Sequence, residues 1–302
     1  MYDTDSRGIS WTAGFFMLIA FTIAGLMVAG QLAGPLWTAM TGKGVEVMRD
    51  GPWTHTDSRA MQVAQAVTTL LGFLLPTIIT AAMLSRRPGR LLGFAGSSSG
   101  RQIGLVILII LAALIFSTAF SYLNHQLPVP ANWKAAFDRM EEKYNRQVEA
   151  ILNLQAGNGS GYVLALMIMA FLPALCEETL FRGGLQNFLS RATKRPWLSI
   201  VIISVLFSLA HFSYYGFLYR FFLGMVLGAI YYYSGRLRLC ILAHFLHNAV
   251  GLTVVYTYVQ QGKPMREALE MEATGYWGFL ALPLVIGLFI LFKKTTAARQ
   301  PV

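Results

Sequence analysis

Charged residues are scarce in this sequence. Asp, Glu, Lys and Arg together make up 13% of the 302 residues, whereas an ordinary soluble domain carries about 25%. Hydrophobic residues make up 55% of the chain. The shortage of charge excludes an ordinary soluble enzyme and predicts a protein embedded in a lipid bilayer.

Cysteine is also scarce, and the basic excess is spread out. Cys176 and Cys240 both lie in apolar stretches and do not predict a disulfide framework. The net charge of +10 does not predict binding to nucleic acid, because the Lys and Arg residues form no single patch. They lie in short clusters between apolar runs, which is typical of membrane topology signals.

Eight apolar runs are each long enough, or nearly long enough, for the roughly 20 residues that a membrane-spanning helix needs. They fall at about 12–40, 62–84, 103–124, 161–182, 198–215, 218–234, 239–258 and 275–292. The sequence therefore predicts an all-α, polytopic integral membrane bundle of about eight transmembrane helices.

The chain is predicted to divide into four parts. Residues 1–125 hold the first three transmembrane helices, 126–160 an extramembrane amphipathic segment, 161–258 helices four to seven, and 259–302 the last helix with a basic tail. More Lys and Arg residues fall in the connections on the side of the N-terminus than in the alternate ones. This bias predicts that both termini are cytoplasmic, in the inner membrane of the cell.

The connection at 126–160 carries apolar residues at helical spacing. They are Trp133, Phe137, Met140, Tyr144, Val148 and Ile151. Recurrence every three or four positions predicts an amphipathic helix that stops near Gly157 and Gly159. Two interpretations stay open, a surface helix packed on the membrane bundle or a gate over a site.

Two adjacent acids lie inside the fourth apolar run, where an ionisable residue is costly and points to function. Glu178 and Arg182 are four positions apart and share a helical face, which predicts a buried structural pair. Glu177 points about 100° away, since a helix has 3.6 residues per turn, and needs another partner. Gly183 and Gly184 leave open whether this helix continues or breaks.

Histidines in later runs are the candidate partners of Glu177. His211 ends the fifth run and lies as far in sequence after the basic turn at Lys194 as Glu177 lies before it. An antiparallel hairpin would bring the two to a similar depth. His244 and Asn248 share a face of the seventh run, and His247 borders it.

Such a set can hydrolyse a peptide bond, because a carboxylate or imidazole can deprotonate water. Side-chain N–H groups can stabilise the oxyanion that forms on the carbonyl.

Three motifs resemble those of the CAAX protease and bacteriocin-processing family. They are EExxxR at Glu177–Arg182, FxxxH at Phe207–His211, and His244-xxx-Asn248. The resemblance implies a metal-independent intramembrane glutamic endopeptidase that needs no cofactor. It implies that Glu177 and His211 activate water while His244 and Asn248 stabilise the oxyanion, with the side chains of Glu178, Arg182, Phe207 and His247 in support.

Two other functions stay open. Glu and His are legitimate zinc ligands, so a zinc-dependent membrane peptidase is one alternative, although no H-E-x-x-H pair is present. A non-catalytic membrane scaffold or transporter is the other, since transporters also bury Glu and His. The expected partners are a peptide or protein substrate, possibly membrane-associated, and the lipid bilayer, without nucleic acid.

Overall fold

The computed structural model describes residues 5–51, 53–153, 159–263 and 275–296. Throughout these ranges the regular structure is helical, and the only strand-like contact described is a single bridge between Ser6 and Ser85. The predicted all-α fold is therefore confirmed. Both chain ends and positions 154–158, including the expected helix stop at Gly157, lie outside the described residues.

Fourteen α-helices follow one another along these ranges. They are α1 (Trp11–Thr41), α2 (Val45–Asp50), α3 (His55–Thr69), α4 (Leu75–Leu84), α5 (Pro88–Leu91), α6 (Gly100–Gln126), α7 (Ala131–Asn153), α8 (Gly159–Ala165), α9 (Leu172–Glu178), α10 (Asn187–Thr193), α11 (Pro196–Leu209), α12 (Phe217–Ser234), α13 (Leu237–Gln260) and α14 (Leu282–Thr296). A 3₁₀ turn, Tyr276–Ala281, leads into α14.

Six continuous helical stretches are long and apolar enough to cross a bilayer. They are Trp11–Thr41, Asp57–Leu84, Gly100–Gln126, Gly159–Thr193, Leu237–Gln260 and Tyr276–Thr296. The other two predicted spans correspond to α11, of 14 residues, and α12, of 18 residues. A polytopic membrane bundle is confirmed, and the count of eight stays a prediction.

Wider π-helical turns join several of these helices. Leu70–Leu74 and Leu166–Phe171 are π-helical, and each comes just before a proline, Pro76 or Pro173. A proline inside a helix lacks an N–H and crowds the carbonyl four residues earlier, so a widened turn relieves the clash.

A third π-helical stretch, Thr179–Gln186, contains the glycine pair left open by the sequence. The fourth apolar stretch runs on as one helix to Thr193, so the glycines do not break it.

α11 and α12 pack closely and are joined by the short segment Ala210–Gly216. At Gly224 an added Cβ would lie 2.9 Å from Cβ of Ser204, so only glycine allows this approach. The Asn124 side chain of α6 holds the connection, donating to the Tyr214 carbonyl at 2.8 Å and accepting from the Leu218 N–H at 2.9 Å. The C-terminal part of the segment between α11 and α12 is thereby fixed to α6.

The predicted amphipathic helix is present as α7. The ring of Phe137 stacks on Tyr214, 4.9 Å between centroids, and the Tyr215 hydroxyl donates to Asp138 at 2.5 Å. α7 therefore packs across the connection between α11 and α12.

Candidate active site

The Glu178–Arg182 pair predicted from the sequence is present and buried. Nη1 of Arg182 donates to Oε1 of Glu178 at 2.7 Å, and both side chains are at most 1% exposed. Nη2 of the same guanidinium donates to the Gly224 carbonyl at 3.2 Å, and its Cζ lies 4.6 Å from the centre of the Phe207 ring. The pair therefore ties the helix that carries the glutamates to α12.

Glu178 has a second partner that the sequence did not indicate. Its Oε1 also lies 2.8 Å from Nδ1 of His244 on α13. A carboxylate paired with a guanidinium only accepts hydrogen bonds, so Nδ1 of His244 carries the hydrogen. In this way Glu178 fixes the orientation of the His244 ring and directs its Nε2 away from the pair.

His211 is oriented in a similar way by the backbone. Its Nδ1 lies 2.7 Å from the Phe207 carbonyl, which can only accept, so Nδ1 is the donor and Nε2 is left as an acceptor in the neutral ring. The Phe207 ring meets both imidazoles edge-on, with centroid separations of 4.9 Å to His211 and 5.7 Å to His244. Phe207 thus supports both rings through backbone and side chain.

The two Nε2 atoms converge on one oxygen of Glu177. Oε2 of Glu177 lies 3.9 Å from Nε2 of His211 and 4.0 Å from Nε2 of His244. These separations exceed a direct hydrogen bond. Oε2 is buried, and within the described protein it has no hydrogen-bond partner. The spacing suits one small molecule, such as water, bonded to the carboxylate and an imidazole at about 2.8 Å from each.

Asn248 and His247 follow His244 on α13 and make contacts of their own. Nδ2 of Asn248 donates to the Ala170 carbonyl at 3.4 Å, which leaves its second N–H for another acceptor. The ring of His247 stacks on Tyr219, 6.1 Å between centroids. The structure brings Glu177, His211 and His244 together and puts Asn248 one helical turn beyond His244, on the same face of α13.

A cavity of about 140 Å³ opens on the His211 side of the cluster. Its lining residues come from α7, from the connection after α11 and from α12, and are Met140, Glu141, Tyr144, His211, Phe212, Ser213 and Arg220. The Ser213 hydroxyl donates to Oε2 of Glu141 at 3.1 Å across it. α7 therefore forms one wall of the cavity that leads to His211.

Arg220 is a residue that the sequence analysis missed. It lies inside the predicted run 218–234, and a charge within an apolar span is itself a signal of function.

Within the described ranges, no group of three or more His, Cys, Asp or Glu side chains is arranged to hold a metal ion. Cys176, beside Glu177, is buried and not in a disulfide, as is Cys240.

Comparison with known proteins agrees with the motif resemblance. Residues 159–250 match the family model described as Type II CAAX prenyl endopeptidase Rce1-like. The chain is also 37% identical over 94 residues to an "Uncharacterized 24.3 kDa protein" of Escherichia coli, a match that covers 30% of this chain and 43% of that relative. The chain thus spans less than half of this curated relative, and no solved structure matches it.

Proposed function

We propose, on the premise that residues 159–250 belong to the Rce1-like family of type II CAAX prenyl endopeptidases, that this chain is an intramembrane endopeptidase using a glutamate-activated water. One observation carries the proposal. Oε2 of Glu177 faces the Nε2 atoms of His211 and His244 at 3.9 and 4.0 Å, and the Nδ1 atom of each ring is already held by an acceptor of the protein.

The first step is attack by water on the scissile carbonyl. A water between Glu177 and His211 donates one hydrogen to Oε2 and the other to Nε2 of the neutral His211 ring. The carboxylate takes the first proton as the water oxygen bonds to the carbonyl carbon. A tetrahedral intermediate with a negatively charged oxygen results.

His244 and Asn248 stabilise that oxyanion. Since Nδ1 of His244 already donates to Glu178, Nε2 can donate to an oxyanion only if the ring is an imidazolium. In that form the positive charge of the ring faces the carboxylates of Glu177 and Glu178. The second N–H of Asn248 supplies the other donor.

The intermediate then collapses. Glu177 returns its proton to the peptide nitrogen, the C–N bond breaks, and an amine and a carboxylic acid leave as products. No step in this sequence calls for a metal or a cofactor. The substrate is a peptide or protein segment at the membrane, the enzyme resides in the inner membrane, and both termini face the cytoplasm.

The test compares wild type with Glu177→Gln, both purified in detergent, on a fluorogenic reporter peptide. Gln keeps the volume of Glu177 but cannot take up the proton, so turnover should fall by about 10²- to 10⁴-fold with unchanged melting. Glu142→Gln is the matched control, because Glu142 is exposed on α7. Equal turnover of wild type and Glu177→Gln would contradict the proposal. No turnover by wild type would favour a scaffold or transporter.

Chelation separates the glutamic mechanism from the zinc alternative. Activity should survive EDTA and phenanthroline, since Glu177 itself activates the water. Loss of activity on chelation that zinc restores would favour the zinc peptidase.

A further inference from the structure

One end of the bundle, called here the basic end, gathers Lys and Arg residues from several helices. The Arg7 N–H donates to the Leu84 carbonyl at 3.0 Å and the Asn187 side chain to the Leu91 carbonyl at 2.7 Å. The start of α13 and the end of α14 join this end through hydrogen bonds with α6 and the segment before it. Asp5 is the only acid among the described residues there. The cations, all exposed or half-buried, are Arg7, Arg86, Arg87, Arg90, Arg101, Arg191, Lys194, Arg195, Arg236, Arg238, Lys293 and Lys294.

The opposite end of the bundle consists of α7 and the connections 42–54 and 210–216, and it mixes charges of both signs. Nζ of Lys43 lies 2.6 Å from Oδ2 of Asp57, and Nζ of Lys134 lies 2.8 Å from Oδ2 of Asp138. An excess of Lys and Arg beside membrane helices is typical of the cytoplasmic side. Anionic lipids of the cytoplasmic leaflet also attract cations that no carboxylate neutralises. The charges therefore favour a cytoplasmic position for the basic end.

The candidate active site lies nearer to the opposite end. α11 starts at the basic end and has 14 residues, and His211 follows its last residue by two positions. At about 1.5 Å per residue this helix spans about 20 Å. The helical path from Lys194 back to Glu177 gives about 25 Å by the same rise. Both paths place the site well beyond the middle of a hydrocarbon core that is about 30 Å thick.

Packing closes the site toward the basic end. Arg182 and Phe207, each about one helical turn nearer to that end than Glu177 and His211, are at most 1% exposed. Toward the opposite end, His211 is partly exposed and Phe212 is exposed, and both line the cavity beneath α7. Among the described residues, access to the cluster is therefore from the opposite end.

We propose that the site opens away from the cytoplasm and that its substrate is a peptide segment on the extracytoplasmic side of the membrane. The reaction rests on the proposed function, whereas the direction of the opening follows from the charges and packing of the two ends. Such a substrate is an exported peptide or the extracytoplasmic part of a membrane-anchored protein. An inverted bundle would present the same site to cytoplasmic substrates, and the test separates the two arrangements.

Orientation is measured by cysteine labelling in spheroplasts and in inside-out vesicles of a bacterial host, with a sulfonated maleimide that does not cross membranes. Wild type is the blank, because Cys176 and Cys240 are buried. Phe212→Cys reports on the cavity, and Ser97→Cys, exposed at the basic end, is its matched control. Phe212→Cys should react in spheroplasts and be protected in sealed inside-out vesicles, and Ser97→Cys should show the reverse.

Lys143→Cys separates the orientation of the bundle from the opening of the cavity, since Lys143 is exposed on α7 and does not line the cavity. It should react in spheroplasts. If it does so while Phe212→Cys does not, the cavity does not open on this face and the proposal is wrong. Reaction of Ser97→Cys in spheroplasts also overturns it. Melting curves in detergent check that each variant is folded.

Cleavage gives a second measurement, made with the unlabelled wild type in both preparations. The probe is the fluorogenic reporter peptide carrying a sulfonated fluorophore, which keeps it on the side to which it is added. Spheroplasts should cleave it, and inside-out vesicles should cleave it only after detergent opens them. Glu177→Gln preparations give the background from other proteases. Cleavage by sealed inside-out vesicles, without cleavage by spheroplasts, would overturn the proposal.

The two measurements keep this inference apart from the proposed function. If Phe212→Cys reacts only in spheroplasts and wild type cleaves nothing even in detergent, the direction of the opening is upheld and the proposed protease is rejected. If the labelling is reversed and wild type cleaves the peptide in detergent, the protease is upheld and the extracytoplasmic substrate is rejected.

Discussion

The glutamates and His211 lie on opposite walls of the proposed site, and the two walls are held in place by different means. The glutamate wall is the helical segment 177–186, in which every residue from Glu178 to Gln186 is buried. The histidine wall is the connection Ala210–Gly216, in which His211 is 30% exposed and Phe212 is 76% exposed. Packing fixes the first wall, whereas polar contacts with α6 and α7 hold the second.

The two walls are therefore suited to different functions. A base must be held at a fixed position relative to the reacting water, and dense packing provides this. A substrate must also enter, and a connection held by side-chain hydrogen bonds opens at lower cost than a packed helix does. The gate interpretation of α7 applies to this second wall, and it stays a prediction.

Glu178→Gln should destabilise the glutamate wall more than any other substitution considered. It removes the countercharge of Arg182 and leaves a neutral, weaker acceptor for Nδ1 of His244. Removing one partner of a buried ion pair costs about 3–5 kcal/mol, so yield and melting temperature should fall. Differential scanning fluorimetry in detergent measures the loss, against Glu142→Gln as an exposed control.

Glu177→Gln should melt like wild type and be the inactive variant, which separates the two neighbouring glutamates. Glu178→Gln should lose activity as a consequence of lower stability and of a weaker hydrogen bond to the His244 ring. If both variants melt alike and Glu178→Gln alone is inactive, then the roles given to the two glutamates are reversed.

Local periodicity explains what the sequence could predict. The pairing of Glu178 with Arg182 follows from a four-residue spacing on one helix. The approach of His211 to Glu177 follows from their equal distance to the turn at Lys194. Both inferences need only the helical rise and an antiparallel connection, and these are properties of the chain itself.

Contacts between distant helices explain what the sequence could not predict. The bond from His244 to Glu178 joins residues 66 positions apart, and it depends on the relative rotation of α9 and α13. The glycine pair was ambiguous because glycine suits both a helix break and close packing. The structure shows close packing, since an added Cβ at Gly183 would lie 3.1 Å from the Leu92 carbonyl oxygen.

Gly224→Ala tests the close packing of α12 against α11, and its effect on stability should be smaller than that of Glu178→Gln. The new methyl group would meet Ser204, including its Cα at 3.0 Å, and backbone cannot yield as a side-chain tip does. Overpacking costs about 1–3 kcal/mol. Melting should therefore fall measurably, and less than for Glu178→Gln.

Gly287→Ala is the control for Gly224→Ala, because an added Cβ at Gly287 has no neighbour within 4 Å. It should melt at or slightly above the wild-type temperature, since Ala favours helix over Gly. Equal destabilisation by the two substitutions would show that α11 and α12 do not depend on their close approach.

Asp138→Asn should have the smallest effect, and it tests the histidine wall alone. Asp138 accepts from Lys134 at 2.8 Å and from the Tyr215 hydroxyl at 2.5 Å. These donors lower the pKa of Asp138 below its usual 3.8. The contact is therefore complete at neutral pH and is lost only as the pH falls through that lowered pKa.

Because the Asp138 contact is exposed to solvent, Asp138→Asn should leave the melting temperature of the bundle unchanged. It should instead loosen α7 from the connection that carries His211. Amide hydrogen exchange should rise in 131–146 and 210–216 and stay at the wild-type level in 178–186. Glu142→Gln, on the same helix but paired with Arg146 rather than with Tyr215, should leave exchange in all three segments unchanged. Faster exchange at 178–186 in the Asp138 variant would mean that the two walls move together, and the contrast between them would fail.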